Sequence, residues 1–302
     1  LFKVLAAETP LSIQAHPNLR QAASGYRREN DAAVPPDAFN RNYKDNNHKP
    51  EIICALTEYV AMRGFRSAAR IAEYFSKILI DELRPSVEGL KKAAGTPGAA
   101  GGDAEGGALR DFFTRLMTLS GGSRAELISE AVKVYTGGEE GRWIQRLSEL
   151  YPGDIGIVSP LYLNLVTLQP GEAMYLPAGE LHAYLRGLGI ELMANSDNVL
   201  RGGLTPKHVD VPELLETLNF RRTDPEILLP EKISPFEWIY KTPADEFVLS
   251  KIVLQDKETQ LVSSGGGPGM PSIFLCLEGK AVLTDSAEGS LELQTGETAL
   301  AA

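Results

Sequence analysis

The spacing of apolar and polar positions changes character along the chain and divides it into stretches. Leu11-Ser12-Ile13-Gln14-Ala15-His16 alternates with a period of two and ends at Pro17-Asn18, which predicts a strand closed by a turn. The polar stretch 24–50, rich in Asn, Asp and Pro, predicts an extended surface loop. Ile52-Ile53-Cys54-Ala55-Leu56 is a continuous apolar run and predicts a buried strand. From Ser67 the period lengthens. Ser67 stands as a cap before Ala68 to Phe75, and Leu109 to Leu119, Ser123 to Tyr135 and Glu139 to Leu150 repeat apolar residues every three to four positions, which predicts helices. Ala94 to Ala108, mostly Gly and Ala, predicts a flexible loop between them. Short strands return at Leu161 to Leu168, Ala173 to Leu176 and His182 to Leu185, separated by Pro170-Gly171 and Pro177-Ala178-Gly179. The same style recurs at Phe247 to Leu254, Ser272 to Leu277 and Ala281 to Thr284.

The expected fold class is mainly β with an α insertion: β-sandwich or small-barrel domains interrupted by helices. The expected organisation is a first β-domain from 1–66 and 153–225, a helical insertion at 67–152 and a second β-domain at 226–302. The chain opens inside a strand without a methionine and stops as another strand begins, so it reads as a piece of a longer protein cut at both ends.

Composition narrows the function. With 302 residues, 43% hydrophobic and 23% charged, the chain is that of an ordinary globular protein able to bury a sizeable core. The net charge of −10 argues against nucleic acid and anionic membranes as partners. No apolar run approaches the roughly 20 residues of a membrane helix. Cys54 and Cys276, far apart in apolar runs, predict reduced, buried thiols and a cytoplasmic location.

The candidate chemistry is a metal site. Gln14 and His16 lie two apart on the predicted strand, on one face. They are either two ligands or part of a half-exposed strand. His182 follows a Pro/Gly turn at a strand start, as a ligand or a hydrogen-bonded structural histidine. Glu51 precedes an apolar strand, as a ligand or its last exposed residue. Together, an amide oxygen, two imidazoles and a carboxylate suit Zn²⁺. His48 and His208 lie in polar surroundings and are expected to be solvated. Arg201, before Gly202-Gly203, and Lys207 could form an anion pocket or belong to an ordinary surface loop, and Ser196-Asp197-Asn198 reads as turn chemistry.

Three blocks carry a resemblance: FKVLAAETPLSIQAHPN at 2–18, DNNHKPE at 45–51 and YLPAGELHAYLRGLGIELMANSDNVLRGGLTPKHVD at 175–210. They resemble the signature blocks of type I mannose-6-phosphate isomerases. The resemblance implies paired cupin-like β-domains with a helical insertion. It implies one zinc ion per chain on Gln14, His16, Glu51 and His182, and an active-site arginine at Arg201. It places pocket residues at Ser12, Lys49, Glu191, Asp197 and Lys207, with Ser12 and Lys207 toward the phosphate and Glu191, Lys49 and Asp197 toward catalysis. Relative to that family the chain lacks an N-terminal stretch that supplies opening strands and part of the pocket. The implied reaction interconverts mannose 6-phosphate and fructose 6-phosphate through a cis-enediol, in a protein whose partner is a small sugar phosphate; the oligomeric state is not readable from the sequence, with a monomer slightly favoured. Two alternatives stand beside it: another cupin metalloenzyme, and a non-catalytic sugar-phosphate-binding homologue. The Gln ligand and the Arg201 segment favour the isomerase over the first, and the complete ligand set favours it over the second.

Overall fold

The structure, a computed structural model, describes residues 1–95, 102–255, 271–284 and 289–301. It divides into two compact units, one of Leu1 and Lys3–Leu229 and one of Phe2 and Pro230–Ala302. The helical share is larger than a mainly β chain predicts. Helices and antiparallel sheets are mixed, because helices form both between the β segments and inside the first of them.

The first unit is built on eight strands: β1 (Phe2–Ala7), β2 (Ile13–Ala15), β3 (Glu51–Ala55), β4 (Tyr59–Phe65), β5 (Leu163–Leu168), β6 (Ala173–Leu176), β7 (His182–Met193) and β8 (Leu200–Gly203). The main path runs β5-β4-β7-β2-β8, with β1 and β3 also paired to β7 and β6 paired to β3. The long strand β7 is shared. Its first half lies against β4, Arg63 opposite His182, and its second half lies against β3, Ile53 opposite Glu191. Between the halves the register slips by one residue: Val60 faces Arg186 but Ala61 faces Tyr184. Gly187 follows at φ +131°, where an added Cβ would sit 2.6 Å from the Tyr59 ring.

Seven helices lie among the described residues: α1 (Leu19–Asp31), α2 (Ala68–Phe75), α3 (Arg84–Ala94), α4 (Asp103–Met117), α5 (Gly121–Val134), α6 (Gly138–Leu150) and α7 (Val211–Thr217). Helix α2 starts at Ser67, whose side chain accepts from the Arg70 N–H, as its sequence predicts. Helix α1 overturns the surface-loop expectation for 24–31. Asn18 and Gln21 form a reciprocal capping box, so the residue read as a turn starts a helix instead. The expected loop at Ala94 to Ala108 is also overturned at its ends. Ala94 closes α3 and Asp103–Ala108 open α4, while 96–101 lie outside the described residues.

A large apolar cluster joins the helices to the sheet, with Phe65, Phe75, Phe112, Phe113 and Tyr162 buried in it. A second cluster, including Ile53, Tyr59, Ala61, Leu176 and Tyr184, fills the space enclosed by β3, β4, β6 and β7. Cys54 and Cys276 are buried free thiols. No helix among the described residues is long and apolar enough to cross a membrane.

Among the described residues the second unit holds three small antiparallel sheets. These are β9 (Glu231–Lys232) with β10 (Glu237–Tyr240) and β11 (Leu249–Ile252), β12 (Ser272–Leu275) with β15 (Thr298–Ala301), and β13 (Lys280–Thr284) with β14 (Ser290–Gln294).

Candidate metal centre and active site

Three buried side chains from three segments converge. His16, Glu51 and His182 offer ligand atoms that all lie within 4.8 Å of one another, with His16 1% and the other two 0% exposed. Sheet register brings them together. Strand β2 lies between β7 and β8, and Gln14 is the register partner of both His182 and Arg201. Residues directly opposite in an antiparallel pair share a face, so Gln14, His182 and Arg201 form one row. His16 lies two residues beyond Gln14, and Glu51 opens β3.

Hydrogen bonds fix both rings. His16 Nδ1 donates to the Asn198 carbonyl at 2.7 Å, and His182 Nδ1 donates to the Glu180 carbonyl at 3.1 Å. A carbonyl can only accept, so each Nδ1 carries a proton and each Nε2 points inward, where a neutral ring presents a lone pair. The Gln14 amide nitrogen is 3.3 Å from His182 Nε2, and a turn of that amide would present its oxygen instead.

What these lone pairs face is unusual. His16 Nε2 lies 3.2 Å from Glu51 Oε1, yet both atoms are buried without an aligned hydrogen bond. Lys49 Nζ approaches the same oxygen at 2.8 Å, and His182 Nε2 is 3.7 Å from Glu51 Oε2. Buried polar atoms are rarely left unpaired in a folded protein. With the His16 ring neutral, two acceptors turned toward each other in a buried pocket suit a cation. Two imidazole nitrogens, a carboxylate and an amide oxygen are the donor set of a borderline divalent metal.

Electrostatics keep the ligands in binding form. Burial alone would raise the Glu51 carboxyl, but His16, Lys49 and His182 outweigh it and hold the group well below the usual carboxylate range. Burial, reinforced by His16, lowers His182 to about 4 and keeps its ring neutral. The Glu191 carboxyl, 3% exposed, is raised from its ordinary value by burial and by Glu51, with Lys3 opposing. Lys3 Nζ lies 2.7 Å from Glu191 Oε2. Arg201 is half-buried, and among the described residues no ion pair or hydrogen bond joins its guanidinium; burial lowers its pKa.

The other pocket candidates stand apart. Ser12 is half-buried, and Asp197 and Lys207 are exposed; among the described residues none of their side chains bonds to the three converging ligands. His208 is partly exposed and stacks edge-on to Phe39. Sequence reasoning missed three contributors. Lys3 was visible only as one cation in an apolar strand. Asn198 looked like a turn residue but is 0% exposed. Asp154 anchors the exit of β8, its Oδ1 accepting from Leu204 N at 2.9 Å and its Oδ2 from Thr205 N at 3.2 Å, with Leu204 held at φ +53°.

Fold and site define a protein of mixed helices and antiparallel sheets with a buried His-His-carboxylate pocket built to hold a cation. The type I phosphomannose isomerase catalytic-domain model matches residues 1–68. The Escherichia coli (strain K12) mannose-6-phosphate isomerase is 40% identical over 305 aligned positions, covering 100% of this chain and 73% of that protein. A zinc-bound mannose 6-phosphate isomerase structure superposes with a TM-score of 0.84 at 38% identity, covering 99% of this chain and 72% of that one. The Salmonella typhimurium enzyme bound to fructose 6-phosphate and zinc gives a TM-score of 0.84 at 38% identity, covering 99% and 73%. The chain belongs to the mannose-6-phosphate isomerase family.

Proposed function

We propose that this chain interconverts mannose 6-phosphate and fructose 6-phosphate, with one zinc ion held by Gln14, His16, Glu51 and His182. The observation that carries the reading is the convergence of the buried His16, Glu51 and His182, whose ligand atoms all lie within 4.8 Å of one another. The relatives named mannose-6-phosphate isomerase, and the neighbour holding both zinc and fructose 6-phosphate, supply the substrate.

The reaction moves a proton between C2 and C1 of an open-chain sugar and places negative charge on an enediolate. Zinc, when bound, supplies Lewis-acid stabilisation of that charge. Arg201, which among the described residues has no anion partner, is the candidate for adding a second positive charge, and it shares a register row with Gln14 and His182. Glu191 is the candidate base: burial raises its carboxyl, in the direction that suits a group exchanging protons near neutral pH. Lys49, 2.8 Å from Glu51, is a second candidate for holding a hydroxyl or moving a proton. Asp197 is assigned to the same pocket, and Ser12 and Lys207 to the phosphate.

The same reading takes 1–66 with 153–225 as a cupin-like catalytic domain, 67–152 as its helical insertion and 226–302 as a second cupin-like domain. It describes a cytoplasmic enzyme acting on a small sugar phosphate, with no nucleic-acid partner. Metal analysis and a coupled assay for fructose 6-phosphate test it. The expected result is one zinc per chain, with turnover lost on chelation and restored by Zn²⁺. Zinc-loaded protein that forms no fructose 6-phosphate would refute the isomerase reading.

A further inference from the structure

We propose that Asn198 is the positioning residue of the metal centre, setting the ring of His16 and the approach of Glu51 at the same time. The inference rests on the metal reading above. Asn198 follows Ser196 and Asp197 in a stretch rich in turn formers, where such a side chain normally caps its own backbone. Here it does something else. Its carbonyl holds His16 Nδ1 at 2.7 Å. Its Oδ1 accepts from Lys44 N at 2.7 Å and from Asp45 N at 3.2 Å. Its Nδ2 donates to Asp45 O at 2.9 Å, to Asn47 O at 2.8 Å and to Asp45 Oδ1 at 3.2 Å. An amide has two lone pairs and two protons, so this side chain is fully used.

These contacts reach back some 150 positions in sequence to a segment with no regular structure of its own. Residues 44–47 have no strand partner; the amide of Asn198 pairs their backbone as a neighbouring strand would. Four residues after Asn47 the chain reaches Glu51. A shift of Asn198 therefore moves the hydrogen-bond partner of one ligand and the lead-in to another together. Its own N–H is held by Ser196 Oγ at 3.2 Å, which resists such a shift. Groups that orient metal ligands in this way typically change metal affinity about 10- to 100-fold when removed.

Two variants separate the contributions. Asn198→Ala removes every side-chain contact but leaves the carbonyl. Asn198→Asp keeps the shape and the acceptor, loses the donations to Asp45 and Asn47, and places a second carboxylate beside Asp45. The measurements use the full protein: zinc affinity by competition with a chelator of known strength, and the visible spectrum of the Co²⁺-substituted protein, which reports ligand geometry. Leu127→Ala, in the helical core, is the control for lost stability alone.

Asn198→Ala is expected to weaken zinc binding about 10- to 100-fold and to change the Co²⁺ bands, with Asn198→Asp changing both in the same direction. Leu127→Ala is expected to lower the melting temperature and leave both readouts unchanged. If Asn198→Ala does not fold, Asn198→Asp carries the test. Zinc affinity within about twofold of the parent, or an equal loss in Leu127→Ala, overturns the proposal. A parent that binds no zinc removes the metal reading and this inference together. A parent with one zinc per chain and an indifferent Asn198 variant removes this inference alone.

Discussion

Gln14 and Arg201 are register partners on adjacent strands, and the opposite neighbour of Gln14 in the same row is His182. The amide thus lies between an imidazole and a guanidinium on one sheet face. On the proposed reading the arrangement separates two duties: one end of the row would hold metal, and the other would meet charge that develops during reaction.

Arg201→Ala should therefore leave zinc in place and lower kcat. A lost charge stabiliser of this kind costs about 10²- to 10³-fold. Zinc analysis beside steady-state kinetics checks it. Turnover equal to the parent would remove Arg201 from the chemistry, and loss of zinc would make it a structural support instead.

His182→Ala should reduce zinc content well below one per chain. The ring is 0% exposed and faces Glu51, so the substitution removes one donor and leaves the carboxylate short of its neighbour. Metal analysis after dialysis decides. Undiminished stoichiometry would mean that the ligands lie elsewhere.

These positions were readable because ligand chemistry is written in residue type and spacing. Gln14 and His16 two apart on a strand, and His182 after a Pro/Gly turn, were candidates with ordinary structural alternatives, and the resemblance to the isomerase blocks singled them out. Other features were hidden by competition between local signals. Pro17-Asn18 reads as a turn, yet Gln21 three residues on makes Asn18 a helix cap. Helices α2 and α4 to α6 were visible through amphipathic spacing, whereas α3 was not recognised. Strand β7 was read only to Leu185, because the slipped register and Gly187 break its alternation. Asn198 could not be recognised at all, since its partners are distant in sequence and only the folded chain shows them.

Gly25→Ala should destabilise the protein by about 1–3 kcal/mol. A Cβ there would sit 2.3 Å from the Tyr43 ring, which is 1% exposed. Tyr43 hydroxyl donates to Glu213 at 2.6 Å, so its displacement also loosens the segment leading toward Lys44. Chemical denaturation measures the loss; an unchanged midpoint would show that the ring has room to move.

Glu140 should confer a pH-dependent part of the stability. Burial would raise its carboxyl, but the Tyr74 hydroxyl at 2.5 Å and Arg66 at 3.1 Å outweigh burial and lower it. A lowered folded pKa stabilises above the unfolded value and is lost as pH falls through the folded one. Glu140→Gln should thus cost about 1 kcal/mol at pH 7, with the gap to the parent closing below about pH 4. Urea unfolding across that range checks it, and a gap independent of pH would mean that packing, not charge, sets the cost.

The slipped register in β7 has an arithmetic consequence. His182 and Glu191 are nine residues apart, an odd interval that would point them to opposite sides of a regular strand. The one-residue slip near Leu185 restores their common side. Whether the carboxylate and the imidazole see the same pocket is therefore a question of parity. Deleting one residue between them would leave a plausible strand with its carboxylate aimed the other way. Homologues that differ in length between these two positions should not be assumed to share the chemistry, however well the flanking residues align.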